Sequence, residues 1–194
     1  GAYVRLSDAG LGCPDWPGCY GKLTPHHAAD DINAALVESP DGPVSHAKAW
    51  KEMVHRYFSG TLGLLVLGIA VLGGWGRRAT SGASAGPMLL LGLIVFQAAL
   101  GMWTVTQLLK PLVVTAHLLG GMATLSLLLW LWLRERGQFS NVYHARIDHL
   151  RASAVFGLAL VVTQVALGGW VSSNYAALAC DDFPLCQGAW VPPM

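Results

Sequence analysis

The sequence predicts an all-α membrane protein whose body is an antiparallel bundle of four transmembrane helices. The 194 residues are 54% hydrophobic and only 12% charged, against roughly 25% charged residues in an ordinary soluble domain. The apolar residues fall into four long runs, each close to the ~20 residues that a helix needs to cross a bilayer core. Helices are expected there because the bilayer interior offers no water to an open backbone. The formal net charge of +1 gives no indication of nucleic-acid binding.

The apolar runs divide the chain into an outer loop, four helices and their links. Residues 1–51 show little periodicity, which indicates a loop, with one short helix near residues 28–37. Transmembrane helices are predicted at 52–75, 87–106, 112–133 and 152–171, with links at 76–86, 107–111 and 134–151 and a tail at 172–194. The opening residues GAYVRLSDAG show no signal peptide. We therefore expect a fragment of a longer protein that starts at the outer end of a preceding helix.

Basic residues indicate the orientation of the helices. Arginines concentrate in the links at 76–86 and 134–151: Arg77, Arg78, Arg134, Arg136, Arg146 and Arg151. The 107–111 link carries only Lys110. The positive-inside rule places the arginine-bearing links in the cytoplasm. The first loop, the Lys110 link and the tail then lie outside, in a compartment where disulfides persist.

All four cysteines lie in two similar segments, GLGCPDWPGCYG and ALACDDFPLCQG. Cys13 aligns with Cys180, and Cys19 aligns with Cys186. Zinc sites usually have shorter spacings than this C-x5-C pattern, so one disulfide within each segment is expected. The favoured interpretation is a staple that holds the loop over the bundle. A redox-active pair that exchanges with a thiol partner is the alternative.

A second internal similarity lies in the helices. QAALGMW (97–103) ends one outward-running helix, and QVALGGW (164–170) ends the other. The two inward-running helices carry His55 and His117, each followed by small residues. Repeated helix pairs are typical of duplicated membrane folds. Convergence on residues that suit a membrane is the alternative.

His55 and His117 are the candidate ligands, because ionisable residues inside membrane helices are rare and usually functional. Both lie near the outer face, at similar depth, as two axial ligands of one haem do. Ser59 and Gly121 each follow a histidine by four residues, which leaves room for a flat ring. Ordinary small-residue helix packing is the competing explanation.

Glu52 and Arg56 flank His55 on the same helix. Glu52 precedes it by three residues, so the two side chains occupy neighbouring positions on one face, where a carboxylate can relay protons. Pairing of Glu52 with Arg56 or Lys48 is the alternative. Arg56 can also extend toward the interface and meet a haem propionate. The remaining histidines are expected to be solvated in loops: His26, His27, His46, His144 and His149.

Four segments together resemble the bacterial haem A synthase family: RLSDAGLGCPDWPGCYG, EMVHRYFSGTLG, LGMWTVTQLLKPLVVTAHLLGG and LGGWVSSNYAALACDDFPLCQG. The resemblance implies an eight-helix fold made of two similar four-helix halves. This chain would span the end of helix one, helices two to five and the start of the next loop.

The resemblance also implies a reaction. The family oxidises the C8 methyl of haem O to a formyl group by successive hydroxylations with water-derived oxygen, which supplies haem A to cytochrome oxidase. His55 and His117 match the ligands of the substrate haem, Glu52 matches an important glutamate, and the cysteine pairs Cys13–Cys19 and Cys180–Cys186 match loop cysteines. The histidines that hold a haem b cofactor would lie beyond Met194, so the fragment is expected to be inactive alone.

The same resemblance implies the surroundings of the protein. It predicts the bacterial inner membrane, haem O synthase as the supplier of substrate, an electron carrier that the sequence does not identify, and a possible homo-oligomer. Two other functions stay open at this point. One is a membrane thiol-disulfide oxidoreductase, and the other is a haem-binding electron-transfer or carrier subunit.

Overall fold

The computed structural model describes residues 1–76, 85–137, 148–180, 182 and 184–190. Within these residues it contains α-helices, one short 3₁₀ helix and no strand. The helices are α1 (Ala2–Leu6), α2 (Ala29–Glu38), α3 (His46–Gly76), α4 (Ala85–Thr106), α5 (Pro111–Glu135), α6 (Asp148–Ser173) and the 3₁₀ helix Ala176–Leu178. The chain divides into two compact units, residues 1–145 and 146–194. Arg77, Arg78, His144 and Arg146 lie outside the described residues.

Four of these helices are long and apolar enough to cross a membrane, which confirms the predicted class of an all-α membrane protein. The candidate spans in the described part of the chain are His46–Leu72, Ala85–Thr106, Pro111–Glu135 and Leu150–Ser173. Each helix begins before its predicted span, and α3 begins six residues before residue 52. The extra turns of α3 are too polar to show in an apolar run, and they pack against the outer loop.

The helices α4 and α5 pack closely in the first unit, and α4 also contacts α3. Only residues 107–110 separate α4 from α5, and Pro111 occupies the first turn of α5, where its missing N–H costs nothing. Gly86 faces Leu131 near one end of the pair, and Gly101 faces His117 near the other. These two helices therefore run in opposite directions. The antiparallel arrangement of all four helices and their duplication remain predictions.

The first outer loop has a small core of its own. Cys13, Cys19, Ala28 and Ile32 are fully buried there, together with Ala49 and Met53 of α3. The helix predicted near residues 28–37 is present as α2, and it contributes Ile32 to this core. The first loop is consequently a packed layer on the N-terminal end of α3.

The first cysteine segment is closed by a disulfide and by one aspartate. Cys13 is bonded to Cys19. The carboxylate of Asp15 accepts hydrogen bonds from the backbone N–H groups of Tyr20 and Gly21, both at 2.6 Å. Tyr20 and Gly21 both have positive φ, at 52° and 68°, the left-handed conformation that a tight turn needs.

The second cysteine segment, in the second unit, has the same internal geometry. Cys180 is bonded to Cys186. Asp182 accepts hydrogen bonds from the N–H groups of Gln187 (2.7 Å) and Gly188 (2.9 Å), which have φ values of 53° and 75°. The two segments are thus the same local structure, as the sequence similarity predicts, and both predicted disulfides are present.

Candidate functional site

Glu52 lies buried where α3 meets the first loop. Its side chain is about 5% exposed. Oε2 accepts a hydrogen bond from the backbone N–H of Cys13 at 2.9 Å, and Oε1 accepts one from Nη2 of Arg56, four residues along the helix. Both carboxylate oxygens are therefore occupied. Of the two pairings considered for Glu52, the structure has the one with Arg56, while Lys48 pairs with Asp8 at 3.0 Å.

Arg56 joins the helix to the first loop. Its Nη1 donates to the backbone carbonyl oxygens of Asp15 (2.7 Å), Gly18 and, at 3.4 Å, Pro17. A guanidinium is suited to this arrangement because its fixed, planar donors can serve several acceptors at once. Its described contacts are with the loop, with Glu52 and with Sδ of Met53, and a contact with a haem propionate remains a prediction.

The two candidate haem ligands come from α3 and α5. The imidazoles of His55 and His117 are both half-buried. Nδ1 of His117 is buried and has no hydrogen-bond partner among the described residues. Nδ1 of His55 lies 3.3 Å from the backbone nitrogen of Gly1. Both predicted ligands are thus half-buried residues of candidate membrane-spanning helices, and their joint ligation of one haem stays a prediction.

An open cleft of about 410 Å³ lies beside His55. Its lining is mostly apolar and aromatic, and comes from α1, the residue before it, and the outer half of α3: Gly1, Tyr3, Val4, Trp50, Lys51, Val54, His55 and Phe58. Such a lining suits a large, flat and mostly apolar ligand. Lys51, whose Nζ lies 5.5 Å from the centre of the Tyr3 ring, is the cation of this cleft.

The residues present fit a haem held by two histidines. A neutral imidazole ligates iron through one nitrogen and donates a hydrogen bond from the other, and the unpartnered Nδ1 of His117 is available for this. A Cβ added at Gly60 or Gly121 would meet no atom within 4 Å, so both positions face open space. The hydroxyl of Ser59 donates to the backbone oxygen of His55 at 2.9 Å. No group of three or more His, Cys, Asp or Glu that could hold a metal ion occurs among the described residues.

Two of the remaining histidines are not in loops as expected. His46 is the first residue of α3, and its Nε2 lies 2.8 Å from Oδ1 of Asn33. His149 belongs to the first turn of α6. Polar helical turns that precede an apolar run lack its hydropathy signal, so the sequence pattern predicts a loop at both positions. His26 and His27 are exposed in the first loop, as predicted.

The sequence reasoning gave no role to Asp15 or Gln97. Asp15 orders the turn whose carbonyls accept hydrogen bonds from Arg56. The sequence feature that indicates this role is the aspartate at the same place in the second cysteine segment, Asp182. Gln97 is buried on α4, and its Nε2 has no hydrogen-bond partner. Its signal was the first position of the repeated motif Q-x-A-L-G-x-W.

The fold and the site together define a multi-pass helical membrane protein with a half-buried histidine on each of α3 and α5 and a disulfide-closed loop that packs on α3. A family model described as cytochrome oxidase assembly protein (COX15-CtaA) matches residues 1–194, and the chain belongs to this family.

Curated relatives named heme A synthase align with nearly the whole chain. The relative from Shewanella oneidensis is 48% identical over 98% of this chain and 57% of its own length. Those from Symbiobacterium thermophilum and Halalkalibacterium halodurans are 30% and 28% identical, over 100% and 99% of this chain and 60% of their own lengths. The chain thus spans less than two thirds of these relatives. No solved structure matches it.

Proposed function

We propose that the chain forms the substrate-binding part of a haem A synthase of the bacterial inner membrane, with its cysteine loops on the periplasmic side. The observation that carries this proposal is that α3 and α5 each carry a half-buried histidine, with His55 one helical turn from the Glu52 that holds the Cys13–Cys19 loop. It is supported by the 48% identity to a protein named heme A synthase. In this function the two imidazoles hold haem O as axial ligands while its C8 methyl group is oxidised to a formyl group.

Oxidation of the methyl group requires an acceptor for electrons and an acceptor for protons. Each hydroxylation with water replaces one C–H bond by a C–O bond and releases two protons and two electrons. A second hydroxylation gives a hydrate, which loses water to leave the formyl group. The electrons pass to an external carrier, and a haem b bound by residues outside this chain is the proposed route. The protons need an acceptor near the reacting methyl group.

Glu52 is the proposed acceptor for these protons, and it is one helical turn from His55. Its two oxygens are engaged by Arg56 and by the Cys13 N–H, so the carboxylate is held in one position by the loop. Proton transfer from this site requires that one of these contacts lengthen. The disulfide loop and Glu52 are therefore proposed to act as one unit.

The test measures haem binding and haem A formation separately in the full-length enzyme. His55→Ala combined with His117→Ala is expected to abolish binding of haem O. Glu52→Gln is expected to keep haem O bound and to leave the pigment at haem O or its alcohol. Normal haem binding in the double histidine variant would reject the ligand assignment. A normal yield of haem A in Glu52→Gln would reject the proton-transfer role.

The burial of the first disulfide weighs against a thiol-disulfide oxidoreductase. Exchange needs a sulfur that a thiolate can reach, whereas Cys13 and Cys19 are both fully buried. If Cys13→Ser with Cys19→Ser leaves haem A formation intact, the disulfide is a staple. A carrier subunit would bind haem O and return it unchanged, which extraction of the pigment distinguishes.

A further inference from the structure

Gln97 is the buried polar side chain of α4 that the proposed function does not use. It is 9% exposed, and no other polar residue of the described α4 is buried. Its Nε2 is enclosed and makes no hydrogen bond. A buried amide donor without a partner costs about 1–3 kcal/mol, so such a group is retained where a partner is present in the working state.

The position of Gln97 points to that partner. Its amide lies against Gly120 of α5 so closely that a Cβ at residue 120 would overlap it. One turn outward on α4, Gly101 lies against His117, and a Cβ added there would be 3.4 Å from Cε1 of the imidazole. His117 and Gly120 are three residues apart and hence neighbours on one helix face. The amide and the imidazole therefore occupy adjacent places in the same α4–α5 contact.

The Gln97 amide and the His117 imidazole each have a buried nitrogen without a hydrogen-bond partner among the described residues. In His117 this nitrogen is Nδ1. When one imidazole nitrogen ligates iron, the other carries a proton and needs an acceptor, and that outer contact fixes the ring orientation and the strength of the ligand. Gln97 offers an amide oxygen as acceptor, and a bridging water can accept from the amide N–H and the imidazole N–H together.

We propose that Gln97 is a positioning residue for His117. It holds the imidazole through Nδ1, directly or through one bridging water, so that Nε2 faces the iron of the bound haem. This inference rests on the proposed function, because it takes His117 to be a haem ligand. It adds a residue of α4 to a site whose ligands come from α3 and α5.

The test is a titration of the purified 194-residue chain in detergent with hemin, followed by electron paramagnetic resonance of the ferric complex. Gln97→Met keeps the length of the side chain and removes the amide. It is expected to weaken hemin binding about 10–100-fold and to shift the g values of the bis-histidine complex. Gln97→Glu retains a hydrogen-bonding oxygen and is expected to recover most of the affinity. The matched control is Gln164→Met, at the same position of the repeated motif but exposed on α6, and it should change neither quantity.

A second variant moves the amide without removing it. Gly120→Ala places a methyl group where the Gln97 amide lies and should reproduce the Gln97→Met spectrum. Gly92→Ala on α4, where a Cβ meets no atom within 4 Å, should retain the wild-type spectrum. Resistance of the buried Cys13–Cys19 disulfide to reduction is the check that each variant is folded. If Gln97→Met fails this check, the hemin affinity and g values of Gly120→Ala and Gln97→Glu test the positioning role instead.

The outcomes separate the two proposals. Wild-type affinity and g values in Gln97→Met, with binding lost in His55→Ala/His117→Ala, would overturn the positioning role and leave the proposed function intact. Absence of hemin binding by the wild-type chain, or its persistence in the double histidine variant, would overturn both. The positioning role would be established if hemin binding is weakened and the g values shift in Gln97→Met and Gly120→Ala but not in the controls Gln164→Met and Gly92→Ala.

Discussion

Replacing Glu52 by alanine should release the first cysteine loop from α3, apart from any effect on catalysis. The substitution removes the acceptor of the Cys13 N–H and the carboxylate that pairs with Arg56. The side chains of Glu52 and Arg56 are only about 5% and 11% exposed. After the substitution, the guanidinium is therefore buried without a carboxylate, and loop carbonyls are its remaining acceptors. Removing one partner of such a buried pair costs about 3–5 kcal/mol. At 1.4 kcal/mol per tenfold change, the lower figure raises the population of the open loop by about 100-fold.

The assay is the rate at which the Cys13–Cys19 disulfide is reduced by a small thiol, with alkylation of the released cysteines and mass spectrometry. Both sulfurs are fully buried, so reduction requires the loop to open. The second disulfide of the same chain is the internal reference, because Cys180 is exposed and belongs to the other compact unit. We expect Glu52→Ala to accelerate reduction of the first disulfide about 100-fold and to leave the second unchanged. An unchanged ratio of the two rates would refute the assignment of Glu52 and Arg56 as the link between loop and helix.

Three further predictions concern neighbouring residues. Gly12→Ala should also accelerate reduction of the first disulfide, because a Cβ there would lie 2.5 Å from the backbone of Lys48. The control is Gly68→Ala, where a Cβ would meet no atom within 4 Å. Equal reduction rates in the two variants would contradict this close approach. Gly121→Leu should lower hemin occupancy, because residue 121 faces open space that the haem ring is proposed to occupy, while the first disulfide should keep its resistance to reduction. Full hemin occupancy would show that the haem ring does not approach α5 at this residue. Arg56→Lys should open the first loop nearly as much as Glu52→Ala, because one ammonium cannot serve three carbonyls and a carboxylate, and the same reduction assay would reveal a wild-type rate if this is wrong.

Composition and local sequence pattern are sufficient to predict the class of the protein and its candidate ligands. Apolar runs of membrane-spanning length require helices, since an unsatisfied backbone is too costly in lipid. His55 and His117 were found for the related reason that an ionisable group is costly there. The two cysteine segments were recognised as one structure because local turn geometry is encoded locally, in the aspartate and the residues of positive φ.

The roles of these residues depend on contacts between elements that are far apart in the chain. Helix spacing allowed Glu52 to meet Arg56, Lys48 or a substrate. The choice of Arg56 depends on the loop carbonyls of Asp15 and Gly18, which lie 41 and 38 residues before it in the chain. Likewise, nothing in the local pattern of α4 separates Gln97 from Gln164. Gln97 differs because α5 presents a glycine opposite it, so that its amide is buried beside His117, and burial of this kind is set by the packing partner.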